Sequence, residues 1–415
     1  MFSSLNTIIK FLIYVLPVAL VFSIFIADFI IVFVSVLFII DQINKKNFVN
    51  AFKNKYFFFF LLFWLYLIIN SIFSYDFKTS LSRSLPYIRF GILFVIISYY
   101  LKDNKFRLNF FKFSFIFLLL LCVDSIVQLF LGYNLIGFKL LHNSRVSGFF
   151  YDELVLGSFL LRMYPIFLIS LIFIKKDFFQ KNLYLLLLLL SIYSYAVIIS
   201  GERTAFFNFL VFNIILFFFF FKIKYFKYFI SFLLIVPFII FTVNSNKEQI
   251  LKRYLLEDLR ENISKKGKIV IFSAEHENHY ISAYKIFKSY PLLGSGLKTF
   301  RHMCKEPNHH PIGCSTHPHN IFMQFLSELG LIGILFYLFT FFYFLLWLLK
   351  LFFLRFNSNN YESIPNPALI ISIISIIMSL WPFSPSGNYF NNWISILNFL
   401  PIGLLIFYDK KNIKF

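Results

Sequence analysis

Charged side chains are scarce in this chain of 415 residues: they make up only 14% of it, whereas 59% of the residues are hydrophobic and the mean hydropathy is +0.77. A soluble core cannot bury so much apolar surface, so the composition predicts that a lipid bilayer solvates much of the chain. Acidic residues are the scarcer group, 19 against 39 Lys and Arg, which leaves a net charge of +20. The cations cluster in short loops between apolar runs, a pattern of membrane proteins that argues against nucleic acid as the partner.

Apolar runs long enough to cross a bilayer recur along the chain and predict about twelve transmembrane helices, at roughly 20 residues a crossing. They lie at 8–25, 27–42, 56–74, 84–101, 109–131, 154–174, 183–200, 205–221, 228–244, 326–349, 367–381 and 393–408. Asp28 is expected to mark the turn between the first two. Internal repeats and a soluble domain at either end are both lacking. We therefore predict an all-α integral membrane protein with a single polytopic domain over residues 1–415.

The distribution of Lys and Arg among the loops predicts the orientation of the bundle. Cations are dense in alternate loops, for example at Lys102, Lys105 and Arg107, and sparse in the loops between them. The positive-inside rule then places both termini in the cytoplasm and the loop of about 245–325, between helices 9 and 10, outside. Within this loop the residue pattern predicts an amphipathic helix over 248–261 and a second helix over about 278–289.

Cysteine is almost absent, with three residues in the whole chain. Cys122 lies in an apolar run, where a packed thiol is expected. Cys304 and Cys314 share the outer loop, which is an oxidising compartment in a bacterial periplasm. We predict a disulfide between them that closes a loop of about ten residues.

Histidine is concentrated in one region, because seven of the eight histidines lie between 276 and 319. No zinc-motif spacing is present, although imidazoles are common metal ligands and a metal site stays an alternative. His302, His309 and His310 fit a solvated loop. His319 differs, because with Asn320 it stands where the polar loop enters a membrane helix. An imidazole there points to proton transfer.

Arginines inside or at the edge of the predicted bilayer form a second group. Arg89 and Arg162 lie within spans, and Arg145 and Arg203 lie in outer turns. Guanidinium forks pair with phosphate oxygens, so several of them converging on the outer side would form a cradle for a pyrophosphate. The alternative is pairing within the protein, of Arg203 with Glu202 and of Arg162 with Asp152 or Glu153.

Four stretches of the chain resemble the O-antigen ligase and O-antigen polymerase superfamily of bacterial envelope glycosyltransferases. They are RVSGFFYDELVLGSFLLRMYP, SGERTAF, YPLLGSGLKTFRHMC and GCSTHPHNIFMQFLSELGLIG, which together span about Arg145 to Gly333. The most specific feature is the last one, a His-Asn pair and an apolar run that ends in Glu-x-Gly-x-x-Gly. The resemblance implies a transferase at the periplasmic face of the bacterial inner membrane, where a glycan leaves undecaprenyl pyrophosphate without a metal or other cofactor.

The resemblance also implies roles for individual residues. The loop histidine that precedes the asparagine corresponds to His319, which would act as the base, and the family's arginines correspond to Arg203 and Arg301 as catalytic groups. We expect substrate contacts from Arg145, Arg162, His317, Asn320 and Glu328.

Three classes of function remain open from the sequence. We favour a ligase that transfers the glycan to a sugar hydroxyl of lipid A-core, ahead of a polymerase that transfers it to a growing lipid-linked glycan. A transporter of lipid-linked glycans would suit buried arginines, but transporters more often carry repeated halves, and none is evident. For a non-catalytic envelope scaffold, the polar cluster around His319 would have no use.

Overall fold

The structure, a computed structural model, describes residues 2–142, 145–174, 183–220, 273–357 and 366–410. Within these ranges regular structure is helical, as predicted. In chain order the helices are α1 (Phe2–Phe22), α2 (Ile24–Asn44), α3 (Phe48–Phe52), α4 (Lys55–Ile72), α5 (Phe77–Ser84), α6 (Ile88–Tyr100), α7 (Asn104–Leu131), α8 (Leu156–Ile174), α9 (Leu183–Ile199), α10 (Arg203–Phe220), α11 (Ala274–Ser289), α12 (Phe300–Met303), α13 (Ile321–Asn357), α14 (Pro367–Ser379) and α15 (Asn392–Lys410).

Many of these helices have the length and composition of membrane spans. In the described ranges nine segments qualify, with α5 and α6 counting as one, and α9 and α14 are shorter apolar helices. Every predicted run coincides with one of these segments except 228–244, which lies outside the described residues. Large apolar side chains face outward, as with Phe25 at 79% exposure, and only lipid makes such a surface stable. The chain is a multi-pass membrane protein, and the number of crossings stays a prediction.

Three helices form the centre of the bundle. Helix α6 is buried on nearly all sides, with Phe90, Leu93, Phe94 and Ile97 at 2% exposure or less. Helices α8 and α15 are also mostly buried, whereas α1, α2 and α4 expose the greater part of their surface. A helix that is apolar all round belongs in the interior of such a bundle. The central position of α8 brings Arg162 into the protein interior.

The turn between α1 and α2 is at Ser23, whose hydroxyl caps α2 by accepting a hydrogen bond from the Ile26 N–H at 3.3 Å. Our prediction that Asp28 marks this turn was wrong. Asp28 lies inside α2, where its carboxylate pairs with Arg89 Nη2 at 2.9 Å and accepts a hydrogen bond from Asn392 Nδ2 at 3.1 Å. A carboxylate at this depth needs such partners. The ion pair therefore gives Arg89 a structural role that ties α2, α6 and α15 together.

Helix α13 is kinked at Gly330, which has φ +62°. The loop before α12 packs into this kink: Ser295 N–H donates to the Ser327 carbonyl at 3.0 Å, and Gly296 N–H donates to the Glu328 carbonyl at 2.9 Å. A Cβ atom at Gly294 or Gly330 would collide with the backbone of the other segment. Gly294 and Gly330 lie in two of the stretches that carry the family resemblance. They form one contact between loop and helix, and this contact fixes the loop that carries Arg301.

Helix α11 packs against the outer end of α13. It contains the predicted helix at 278–289 and begins earlier, at Ala274, because the Ser273 hydroxyl caps its first turn. Ala283 and Ile286 form a small apolar core with Phe300, Met303 and Cys304. Cys304 is bonded to Cys314 in the structure, with the Cα atoms 4.9 Å apart. The predicted helix at 248–261 lies outside the described residues.

Candidate functional site

A polar cavity of about 200 Å³ lies where α8, α10, the segment before α13 and the connection from α14 to α15 meet. Arg162, Glu202 and His319 line it from three different parts of the chain. Residues 384–387, in the connection from α14 to α15, form a further wall of the cavity. The imidazole and the guanidinium that the sequence singled out therefore face the same space.

His319 lies at the end of the outer segment, one residue before the Asn320 cap of α13, with φ +55°. Its carbonyl accepts a hydrogen bond from Ser386 N–H at 2.8 Å, and its Nε2 is 3.0 Å from Ser315 Oγ. Its Nδ1 has no hydrogen-bond partner in the described part of the chain. Burial, followed by the imidazoles of His279 and His276, lowers the pKa of His319 to about 4. The ring is therefore neutral at pH 7, and in the tautomer whose Nε2–H donates to Ser315 Oγ the Nδ1 atom is the proton acceptor.

His317 is the nearest neighbour of His319, with ring centroids 4.0 Å apart. Its Nε2 is 3.3 Å from the Ser386 carbonyl, and its Nδ1 is 3.0 Å from Thr316 Oγ1. A carbonyl only accepts, so Nε2 carries the proton and Nδ1 accepts from the threonine hydroxyl. Burial, followed by the neighbouring imidazole of His319, lowers the pKa of His317 to about 3. Both ring nitrogens of His317 are therefore occupied, whereas His319 has one hydrogen-bonded nitrogen among the described residues.

Helix α11 supplies two further histidines to this site, which the sequence analysis did not assign. The His279 ring lies 5.1 Å from the His319 ring, nearly parallel to it, and the His276 ring lies 5.6 Å away. His279 Nδ1 is held at 2.9 Å by the Gly313 carbonyl, and Ser273 Oγ is 2.6 Å from His276 Nδ1. Their spacing of three residues on a helix places both on one face, and this was the available signal.

The Asn320 side chain forms hydrogen bonds to other parts of the protein. Its Oδ1 accepts a hydrogen bond from Met323 N–H at 3.1 Å and so caps α13. Its Nδ2 donates to the Pro382 carbonyl at 2.8 Å. The side chain thus joins the start of α13 to the wall of the cavity, and it positions its neighbour His319.

Glu202 and Arg162 both line the cavity, and the contacts of Arg162 differ from the expected pairs. The Glu202 carboxylate accepts hydrogen bonds from Gly157 N–H at 2.8 Å and from Ser158 Oγ at 2.6 Å, at the start of α8. Arg162 Nε donates to Asn398 Oδ1 at 3.2 Å, and its Nη1 donates to the Ser158 carbonyl. Burial raises the pKa of Glu202. Asp152 and Glu153, the expected partners of Arg162, are exposed and form no ion pair with it, so that alternative was wrong.

The other arginines with predicted roles lie outside the lining of the cavity. Arg203 is the first residue of α10, and its charge contributes to lowering the pKa of His276, mainly a burial effect. Arg145 Nη2 donates to the Leu154 carbonyl at 2.6 Å, and its charge acts on Glu202. Arg301 lies in α12, and its charge contributes to the low pKa of His317. None of these three lines the polar cavity itself.

Two other predicted side chains are buried in the structure. Glu328, expected to contact substrate, is fully buried, and its carboxylate accepts hydrogen bonds from Gln324 Nε2 at 3.0 Å and Phe300 N–H at 3.4 Å. His309, expected in a solvated loop, is 7% exposed and contacts Met303 O and Ser289 Oγ. Both residues make contacts within the segment that leads to α13. The prediction that His309 lies in a solvated loop was wrong.

Among the described residues, no group of three or more His, Cys, Asp or Glu side chains is arranged to hold a metal ion. The histidines around His319 contact their neighbours through hydrogen bonds and ring packing. Metal independence of the reaction stays a prediction.

A comparison with protein families gives a match to the family described as O-antigen ligase, over residues 185–338. A comparison with curated proteins gives no match. The matched region contains α9, α10, α11 and the segment with His317 and His319, so it covers the outer part of the site. Over this region the chain is similar to the O-antigen ligase family.

Proposed function

We propose that this protein is a ligase-type glycosyltransferase of the bacterial inner membrane. It transfers a glycan from undecaprenyl pyrophosphate to a sugar hydroxyl of lipid A-core on the periplasmic face. One observation carries the proposal: His319 has an unoccupied ring nitrogen among the described residues and lines a polar cavity together with Arg162. The match to the O-antigen ligase family supports the class of substrate.

The reaction is a single displacement at the anomeric carbon of the glycan. The acceptor hydroxyl oxygen forms a bond to this carbon while the bond from the carbon to the pyrophosphate oxygen breaks. His319 Nδ1 takes the proton of the hydroxyl, and Ser315 holds the opposite nitrogen, Nε2. General-base catalysis of this kind contributes roughly 10²–10⁴-fold to a rate. Attack from the face opposite the leaving group inverts the configuration of the anomeric carbon.

The leaving pyrophosphate gains negative charge, and arginines stabilise it. We assign this role to Arg203 and Arg301, with Arg145 and Arg162 as further contacts. The charge of Arg203 acts on His276 and that of Arg301 acts on His317, which supports their position beside the histidine cluster. Guanidinium groups would then supply the positive charge that a divalent metal supplies in many phosphate-handling enzymes.

The pKa of about 4 makes His319 a weak base in the free protein. Bound pyrophosphate changes this, because a nearby anion favours the protonated form of an imidazole and raises its pKa. The base therefore strengthens when the donor substrate is in place. His317 and Asn320 position His319 in this proposal, and Glu328 holds the loop that carries Arg301.

The test is a transfer assay with the purified full-length protein, an undecaprenyl-pyrophosphate glycan, and lipid A-core either present or absent. We expect product only with lipid A-core. His319→Ala should lower the rate by at least about 100-fold, since it removes the base. His302→Ala is the matched control, because His302 is an exposed histidine of the same segment, and this variant should keep the wild-type rate.

Each other outcome points to a different function. A ladder of longer lipid-linked glycans without lipid A-core would identify a polymerase of the same superfamily. Full activity in His319→Ala would refute the role of this histidine. If the wild type transfers nothing in either condition but moves lipid-linked glycan across vesicles, the protein is a transporter.

A further inference from the structure

The loop before α12 packs against α5 as well as against α13. Leu297 N–H donates to Ser80 Oγ at 3.0 Å, and Tyr75 N–H donates to the Ser295 carbonyl at 2.8 Å. The loop turns sharply at Lys298, which has φ +60°. This packing brings Lys298 and Arg301 beside Arg83, which lies in the last turn of α5.

No described residue accepts a hydrogen bond from the side chains of these three cations. Lys298 is only 8% exposed, and its ammonium group has no hydrogen-bond partner in the ranges that the structure describes. The Arg301 Nε atom is buried and also unpartnered there. Arg83 is exposed and makes no hydrogen bond or ion pair with any described residue. Lys298 is thus a buried cation without a partner in these ranges, which is costly, so the arrangement calls for an anion.

The carboxylate nearest to this group does not neutralise it. Glu328 uses its oxygens for Gln324 Nε2 and for the backbone N–H groups of Phe300 and Lys298. Arg89, the other nearby cation, is already paired with Asp28. Among the described residues, Glu328 is thus the one carboxylate whose charge opposes that of the three cations at Lys298.

The repulsion from the neighbouring cations acts on the pKa of Lys298. Burial, then the charge of Arg83, lowers the pKa of Lys298 to about 8, and Arg301 and Arg89 act in the same direction. Glu328 opposes this shift only in part. An anion placed between the three cations would remove the repulsion and favour the charged lysine.

We propose that Lys298 and Arg83, together with Arg301, form a binding site for a phosphate group borne by a lipid substrate, beside the His319 cavity. The two arginines offer planar forks that match phosphate oxygens, and the lysine adds a point charge. The identification of the ligand as lipid-borne rests on the proposed function. Two sources share this chemistry: the pyrophosphate of the glycan donor, and a phosphate on the lipid that accepts the glycan.

The test measures binding with the full-length protein in nanodiscs of neutral lipid. Undecaprenyl pyrophosphate without glycan is one probe, and phosphorylated lipid A-core is the other. Lys298→Met keeps the buried stem and removes the charge, and it should weaken one or both probes by about tenfold, the loss expected for one charge-assisted contact. Lys285→Met is the matched control, because Lys285 is an exposed lysine of α11 outside the cluster, and its binding should equal that of wild type.

The pattern across the probes identifies the source. Weakening for undecaprenyl pyrophosphate alone assigns the site to the donor, and weakening for lipid A-core alone assigns it to the acceptor. Unchanged dissociation constants for both probes in Lys298→Met would overturn the proposal.

Thermal stability separates ligand binding from a purely structural role. Without ligand, Lys298→Met should melt at or above the wild-type temperature, because it removes an unpaired buried charge. A lower melting temperature together with unchanged binding would show that Lys298 only supports the fold. Binding is measured without turnover, so a wild type that binds but does not transfer would refute the proposed function and leave this site standing.

Discussion

At the scale of single residues, the site depends on which ring nitrogens are occupied. His317 uses both of its nitrogens, whereas His319 uses only Nε2 among the described residues. The two histidines are two positions apart, and the sequence preferred His319 only through the family resemblance. The hydrogen bonds supply a physical reason for the same preference: a base needs an unprotonated nitrogen that points to its substrate.

The low pKa of His319 predicts the pH dependence of the reaction. A protonated imidazole cannot accept a proton, so activity is present above the pKa and is lost as the pH falls through it. Because kcat/KM reports the free protein, it should stay flat from pH 7 to about 5.5 and fall with a midpoint near the value of about 4. The measurement is the rate at low donor concentration across this range.

The midpoint in kcat should lie at a higher pH than the midpoint in kcat/KM, because the bound pyrophosphate raises the pKa of the base. Equal midpoints would contradict a pyrophosphate close to His319. A midpoint of kcat/KM near 6.5 would show an unperturbed imidazole and would argue against the buried cluster as the source of the base.

At the scale of secondary-structure elements, the outer segment is held by backbone contacts that glycine makes possible. Gly294 and Gly330 both have positive φ and lie against one another's segment. The contact connects the kink of α13 to the loop that carries Lys298 and Arg301. The motif Glu-x-Gly-x-x-Gly is thus explained by close approach of two backbones at its first glycine.

Gly294→Ala should destabilise the protein and weaken anion binding. The positive φ costs roughly 1–2 kcal/mol for a non-glycine residue, and the collision of the added Cβ with the Glu328 backbone adds roughly 1–3 kcal/mol. Gly137→Ala is the control, because Gly137 also has positive φ and its added Cβ meets nothing within 4 Å. Thermal melts should therefore show a clearly larger loss for Gly294→Ala, and equal losses would contradict the close contact.

The bond between Cys304 and Cys314 closes the segment that leads to His319. By the chain-entropy relation, a loop of this size contributes roughly 2.7 kcal/mol. We expect the Cys304→Ser and Cys314→Ser double variant to melt at a lower temperature and to transfer more slowly. Alkylation of denatured, non-reduced wild-type protein should modify Cys122 alone, and modification at three cysteines would show that the bond does not form.

At the scale of the whole molecule, the chain is a membrane bundle with its polar site at one end. The histidine cluster and the group of Arg83, Lys298 and Arg301 lie in segments that the charge distribution places outside, and the polar cavity lies beside the histidine cluster. This arrangement suits a substrate whose lipid part stays in the bilayer while its glycan reacts in the aqueous compartment.

The orientation can be tested by labelling single introduced cysteines in intact cells with a membrane-impermeant maleimide. Lys139→Cys lies on the predicted outer side and should react, whereas Lys105→Cys should react only after permeabilisation. Both positions are exposed, and the native Cys122 is fully buried, so the background should be low. The reverse labelling pattern would invert the topology and place the site in the cytoplasm.

Much of the architecture could be predicted from the sequence because it depends on local properties. The length of an apolar run specifies a membrane helix by itself, and each described run was found as a helix. The segment around His319 was recognisable because its residues are contiguous. Asp28 is an instructive failure, since a lone acid in an apolar run suggests a turn until its partner Arg89, far along the chain, is known.

Only the tertiary structure decided which residues share the site. The rings of His276 and His279 lie beside His319 although they belong to another helix. Glu202 accepts a hydrogen bond at the start of α8, and the charge of Arg83 acts on Lys298 from a distant part of the chain. These contacts depend on how the helices pack, which no local pattern of residues specifies. By itself, the sequence therefore determined that the chain is a membrane protein and that a histidine lies where the polar loop enters a helix. The packing determined that this histidine is neutral and lines a cavity together with Arg162, because burial and long-range neighbours control those properties.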